Sequence, residues 1–149
     1  MEIRPARPPD GPRIVELIRL LAGFENLPAP GDDDARRLLC DAFEERRLEL
    51  WVAEEAGGEV VAYAACFTAY STFRARPTLF LEDLFVHPSA RRRGVATALL
   101  ARLRREAVER GCGRFEWMVL DWNTDAQSLY AGIGASLLPD WRLVRIDLP

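Results

Sequence analysis

The chain contains no lysine. All 20 of its basic residues are arginine, set against 23 aspartates and glutamates and a single histidine, for a formal net charge of −3. The missing lysines reflect base composition rather than function. The negative balance argues against a nucleic-acid binder, which presents a basic face. Cysteine is scarce too: Cys40, Cys66 and Cys112 are odd in number and widely spaced. No disulfide framework, zinc motif or other metal site can be read from them, which suits a reducing cytoplasm. Each reads as a small core residue rather than a nucleophile. No apolar run is long enough to span a bilayer, and no N-terminal stretch reads as a signal peptide. Repeats, linkers and low-complexity tracts are missing. What remains is 149 residues, nearly half of them hydrophobic. That is enough for a real core, and residues 1–149 read as one domain.

The most informative stretch runs from Thr78 to Leu100, TLFLEDLFVHPSARRRGVATALL. Its first half is rich in Leu, Phe and Val, the composition of a buried strand. His87-Pro88-Ser89 stops that strand, because proline cannot donate to a ladder and favours a turn. Val95, Leu99, Leu103 and Ala107 then recur at helical spacing up to Arg110. The unit is a strand, a tight basic loop and a helix N-terminus. Such a loop aims free backbone N–H groups and the positive end of the helix dipole at one point. Gly94 lets the backbone approach closely, and Arg91, Arg92 and Arg93 add charge. An anion of the pyrophosphate kind belongs there. The plainer alternative is a helix start that merely solvates three arginines.

Around this unit, Glu2-Ile3-Arg4 reads as an opening strand, and Asp10 as the N-cap of a helix whose stripe is Ile14, Leu17, Ile18 and Leu21. That helix ends near Gly23-Phe24-Glu25. Asp32, Asp33 and Asp34 suit the positive start of a second helix. Leu48 to Glu55 and Val60 to Thr68 read as strands joined by a Gly57-Gly58 hairpin turn. The Ala-rich middle of the return strand implies close packing against it. Ala69 to Pro77 reads as a loop, Arg114 to Leu120 as a strand, and the segment carrying Tyr130 as a short helix ended by Gly132 and Gly134. Trp141 to Leu148 alternates as a final strand. The expected order is β-α-α-β-β-β-α-β-α-β.

Arg91-x-x-Gly94-x-Ala96 resembles the acyl-CoA pyrophosphate loop of the GNAT superfamily of N-acetyltransferases. Leu81-Glu82-Asp83-Leu84-Phe85-Val86 precedes it at the family's spacing. Asp121-Trp122-Asn123-x6-Tyr130, followed by Gly134-Ala135, matches as well. The combination looks like the branch that contains spermidine/spermine and thialysine N-acetyltransferases. The resemblance spans Ile3 to Asp147 and is densest from Phe80 to Ala135. It implies an α/β GNAT fold, with a mixed, mostly antiparallel central sheet and helices on both faces. It also implies acetyl-CoA as cofactor, a small primary amine as acceptor and a homodimer. In one respect the chain departs from the spermidine/spermine enzymes. Where they carry an Asp and a Trp it reads Tyr70-Ser71-Thr72-Phe73, closer to the thialysine type.

Acetylating an amine requires a proton to be moved. An alkyl amine with a pKa of ~10 is almost wholly protonated at neutral pH, so something must take that proton. Glu82 is the candidate base, a carboxylate in an otherwise apolar strand where an unpaired charge is expensive. In the resembling family the first acid of Leu-Glu-Asp works through water. A paired structural acid is the alternative. Asp83 falls on the opposite face of a regular strand, but a bulge would turn it toward the acceptor, and its family counterpart lies near the substrate cation. Tyr130, with an ordinary pKa of about 10, suits donation to a thiolate leaving group. It could equally be an aromatic core residue, and the resemblance makes it the general acid.

By the same resemblance Asn123 bonds the pantetheine arm, though as a bare residue it could cap the helix. Leu84, Phe85 and Val86 would offer backbone groups along a strand splayed from its neighbour, including an N–H for the acetyl oxygen. Arg91, Arg92, Arg93, Gly94, Val95, Ala96 and Thr97 would hold the pyrophosphate. Glu25, Asp140 and Trp141, with Glu82 and Asp83, are acids and aromatics of the sort that hold a cationic amine. The alternative makes them surface acids and core tryptophans. His87 is given no role. The reading is a cytoplasmic N-acetyltransferase acting by direct attack in a ternary complex. Its rivals are an enzyme acting on a peptide or protein amine and a non-catalytic acyl-CoA-binding module. Without lysine, lysine autoacetylation is excluded.

Overall fold

Runs of β-branched and aromatic residues bounded by Gly, Pro and polar turns build the sheet, and amphipathic stretches cover it. The computed structural model describes residues 1–148. The strands are β1 (Glu2–Pro5), β2 (Glu49–Glu54), β3 (Val60–Ser71), β4 (Arg76–Val86) and β5 (Arg114–Trp117). The helices are α1 (Gly11–Phe24), α2 (Asp32–Phe43), α3 (Val95–Glu109) and α4 (Thr124–Gly132). The sheet runs β1-β2-β3-β4-β5, antiparallel throughout except that β5 lies parallel to β4. The mixed, mostly antiparallel α/β fold expected from the resemblance is the one observed. The chain divides into two compact units, Met1–Met118 with the sheet and α1 to α3, and a second from Val119 onward with α4. Among the described residues no helix is long and apolar enough to cross a membrane.

Cross-strand register sorts the sheet residues onto two faces, because directly opposed residues in an antiparallel pair share a face. Leu50, Val52, Tyr63, Ala65 and Phe85 lie on one face, packed with Ile14 and Leu17 of α1. Trp51, Ala53, Ala62, Ala64 and Cys66 lie on the other, all buried. There the Arg102 guanidinium of α3 sits 4.7 Å from the centre of the Trp51 ring. The alanines keep this face low, which lets α3 pack closely with Leu99, Leu100 and Leu103 wholly buried. Each such leucine contributes about 1.5–3 kcal/mol by leaving water.

Four details differ from the sequence reading. Asp10 does precede α1, but its carboxylate is taken by Arg4, at 2.7 and 2.9 Å, and by the Arg7 N–H at 2.7 Å, so it makes no side-chain cap bond to the helix. The Ala69–Pro77 loop shrinks to residues 72–75, because the β3–β4 ladder continues out to Ser71 opposite Arg76. β5 stops at Trp117 rather than Leu120. Trp141 to Leu148 is not a strand. A strand needs a neighbour for its N–H and C=O groups, and the unit that carries this segment contains a helix and no strand. Leu143, Val144, Ile146 and Leu148 are exposed.

Candidate active site

The site in the first unit is organised by an irregularity in β4. Asp83 opposes Ala65 and Leu81 opposes Cys66, so two steps along β4 match one along β3 and Glu82 has no partner on β3. This is a β-bulge, which bends a strand and re-aims side chains. In a regular strand Leu81 and Asp83 would share a face. The bulge instead leaves Leu81 on the face of Cys66 and puts Asp83 on the face of Ala65, Tyr63 and Phe85. Glu82, expected inside an apolar strand, is exposed at the bulge.

Asp83 is half-buried and accepts a hydrogen bond from the Tyr63 hydroxyl, 3.2 Å from Oδ2. Burial, then the charge of Glu82, push its carboxyl up to about 6; the Tyr63 bond pulls it down, and Glu25 adds a further upward push. Glu25 caps the end of α1, half-buried, and burial raises its carboxyl as well. Three carboxylates therefore feel one another's charge here. Among the described residues none of them is ion-paired. Tyr63 was read only as part of the strand Val60 to Thr68. A tyrosine inside a fully buried run is itself the signal, because its hydroxyl needs a partner.

Beyond the bulge β4 has a free side. The β4–β5 ladder ends at Leu81 opposite Trp117, so residues 82–86 pair with β3 alone among the described strands. Leu84 is half-buried, and Phe85 and Val86 are buried. His87 follows, its Nδ1 accepting from the Ser89 N–H and capping the turn Pro88–Ala90. Arg91 turns back: its Nε donates to the Val86 carbonyl at 3.1 Å, and its guanidinium lies over the rings of Phe24 and Phe85 at 5.4 and 5.3 Å. Arg93 pairs with Glu55 at 2.8 Å. Arg92 and Gly94 both take the left-handed conformation, φ 60° and 78°. Gly94 is the N-cap of α3 and brings no side chain to its first turn. The first N–H groups of a helix have no intrahelical acceptor. Alternating left-handed and ordinary residues ahead of them make a concave nest of donors. A Cβ added at Gly94 would meet nothing within 4 Å. The space in front of the nest is open, and residues 91–97 fit a diphosphate by donor chemistry.

The second unit carries the remaining candidates. Asn123 is the N-cap of α4, its Oδ1 accepting from the Ala126 N–H at 3.2 Å. Tyr130 is half-buried near the end of α4, and its carbonyl accepts from Ala135 at 3.0 Å. Asp140 and Trp141 are exposed in the irregular segment after it, Trp141 77% so, which removes the reading of Trp141 as a core tryptophan. A shallow depression on the outer side of α3, lined by Arg104, Arg105, Val108 and Glu109, holds none of the candidate residues.

Comparison with known proteins bears on this arrangement. The acetyltransferase (GNAT) family profile matches residues 14–135. The chain is 35% identical over 146 residues to the thialysine N-epsilon-acetyltransferase of Mus musculus, covering 93% of this chain and 85% of that one. It is 37% identical over 87 residues to the L-ornithine N5-acetyltransferase of Arabidopsis thaliana, a match covering 58% of this chain and 38% of the plant protein. The solved structure of a probable acetyltransferase superposes with a TM-score of 0.88 at 18% identity, covering 100% of this chain and 99% of that one, a likeness of fold alone.

Proposed function

Because this chain belongs to the acetyltransferase (GNAT) family, we propose that it moves an acetyl group from acetyl-CoA to a primary amine of a small molecule, by direct attack within a ternary complex. The acceptor class is a diamine, a polyamine or a thialysine-like amino acid. The mouse and plant relatives are named for thialysine and L-ornithine, both amino acids that end in a primary amine. The observation that carries the reading is the group of Glu82 and Asp83 at the β4 bulge with Glu25 at the end of α1, none of them ion-paired among the described residues. Buried or half-buried carboxylates without a cation are costly, and an alkylammonium would relieve them.

The residues divide the work. The nest at residues 91–97 would hold the pyrophosphate, and the free side of β4 at Leu84 to Val86 would pair with the pantetheine amides. The family resemblance gives Asn123, whose amide nitrogen is not used by its cap bond, a hydrogen bond to pantetheine. When bound, acetyl-CoA supplies the acetyl group as an activated thioester. Asp83 and Glu25 would hold the acceptor as a cation, a role the family resemblance extends to Asp140 and Trp141. Glu82, exposed at the bulge, collects through water the proton that the ammonium must lose before nitrogen can bond to carbon. Tyr130 would be the proton donor to the departing thiolate, and the second proton shed by the acylated nitrogen would restore its phenol. A reducing cytoplasm suits the three free cysteines. The family resemblance also implies a homodimer, and sedimentation at micromolar concentration tests it: a monomer under all conditions removes it.

The test is a panel of amines with acetyl-CoA, read by release of free thiol. Turnover with thialysine, ornithine or a diamine, and none with peptides, is expected. Turnover confined to peptides would move the acceptor to the rival class. CoA binding with no turnover on any amine would leave a binding module.

A further inference from the structure

We propose that Tyr63 is a positioning residue for acceptor binding: its buried hydroxyl, donating to Asp83 Oδ2, fixes that carboxylate in the ionised form and in the orientation that receives the acceptor's ammonium. The inference rests on the acetyltransfer reading for the ammonium, and on geometry for the bond itself.

Tyr63 has no exposed surface and packs among Ile14, Leu17 and Phe85. Phenylalanine would fill the same space without a polar group to satisfy. The hydroxyl is therefore accounted for by its partner, the Asp83 carboxylate at 3.2 Å. That contact exists only because the bulge at Glu82 moves Asp83 onto the Tyr63 face. Burial and the neighbouring Asp83 charge push ionisation of the phenol far above its ordinary range, so Tyr63 keeps its proton at every working pH and donates to Asp83 whenever that carboxyl is ionised. A hydrogen bond given to the charged form of a carboxyl favours that form.

The groups facing Asp83 can be named. Tyr63 approaches from β3, Glu82 stands beside it on β4, and Glu25 lies at the end of α1. Arg91, from the loop after β4, is held over Phe24 and Phe85. Burial and the two glutamates favour the protonated acid; the Tyr63 bond opposes them. Without it, Asp83 would carry less charge at neutral pH and would be free to turn.

The test uses the full chain and Tyr63→Phe. Carbon-13 NMR of the aspartate carboxyls follows the Asp83 titration in the resting protein, with no substrate. Losing a hydrogen bond to a charged group should raise its midpoint by about 1 pH unit. With thialysine as acceptor, the acid limb of kcat/KM should move up equally. At pH 6 the ionised fraction would drop from about one half to about one tenth, a fall of about fivefold in kcat/KM that closes above pH 8. KM should change more than kcat. Should Tyr63→Phe not fold, the wild-type hydroxyl proton serves instead: its chemical shift should track the Asp83 titration. Superimposable titrations and pH profiles, or a hydroxyl proton blind to Asp83, would overturn the proposal. A wild-type protein inert toward all amines would end the acetyltransfer reading and the acceptor role together, while the titration still reports whether the bond exists.

Discussion

Replacing Asp83 with asparagine should stabilise the protein while impairing its use of the acceptor. The carboxyl titrates near 3.8 in the unfolded chain and is pushed up to about 6 in the folded one, first by burial. Between these values the folded state holds a proton that the unfolded state has lost. Stability therefore falls as pH rises from about 4 through 6 and levels off above that. A shift of this size is worth at most about 3 kcal/mol, since one pH unit is about 1.4 kcal/mol and water at the open side screens part of the charge. Asparagine carries no charge at any pH and can still accept from Tyr63. Urea unfolding of both proteins, followed by circular dichroism from pH 4 to pH 8, measures the difference directly. Asp83→Asn should gain on the wild type as pH rises, by up to about 3 kcal/mol at pH 8, while titrating groups that do not feel the Asp83 charge cancel between them. A stability difference that stays constant across the range, or that moves against Asp83→Asn as pH rises, would refute the reasoning.

Two further outcomes concern the proposed cofactor loop and the proposed acid. Gly94→Glu sets a bulky anion in front of the donor nest and forces a side chain onto a φ of 78°; calorimetry should show CoA binding largely lost, with circular dichroism unchanged apart from a destabilisation of about 1–2 kcal/mol. Unchanged affinity would place the cofactor elsewhere. Tyr130→Phe keeps the ring and removes one proton, so CoA binding should survive while kcat falls ~10²–10⁴-fold; near wild-type kcat would remove Tyr130 from the chemistry.

The strand–loop–helix unit was legible in the sequence because each part has a local cause. Apolar residues make β4, Pro88 stops it, and Gly94 at positive φ starts α3. The acidic start of α2 and the Gly57-Gly58 hairpin were legible for the same reason. The site itself was less so. A bulge depends on how two strands register, and nothing in Leu81-Glu82-Asp83 says that Glu82 will go unpaired with Ala65 and Cys66 on β3. The Tyr63–Asp83 bond joins residues 20 apart in the chain, beyond the reach of any local pattern. The alternation at Trp141 to Leu148 signalled a strand, but alternation reports which side chains are apolar, not whether a partner edge exists.

Whether a carboxylate at the β4 bulge takes the acceptor's proton is read from the pH dependence of Glu82→Gln. Glutamine keeps the size of the side chain and removes the base. With saturating acetyl-CoA and an accepted amine, the variant should be slow at pH 7 and recover steadily toward pH 10, as more of the amine sheds its proton to solvent unaided. A pH–rate profile of unaltered shape would contradict the account, leaving Glu82 a structural acid and the proton to Asp83 or to ordered water.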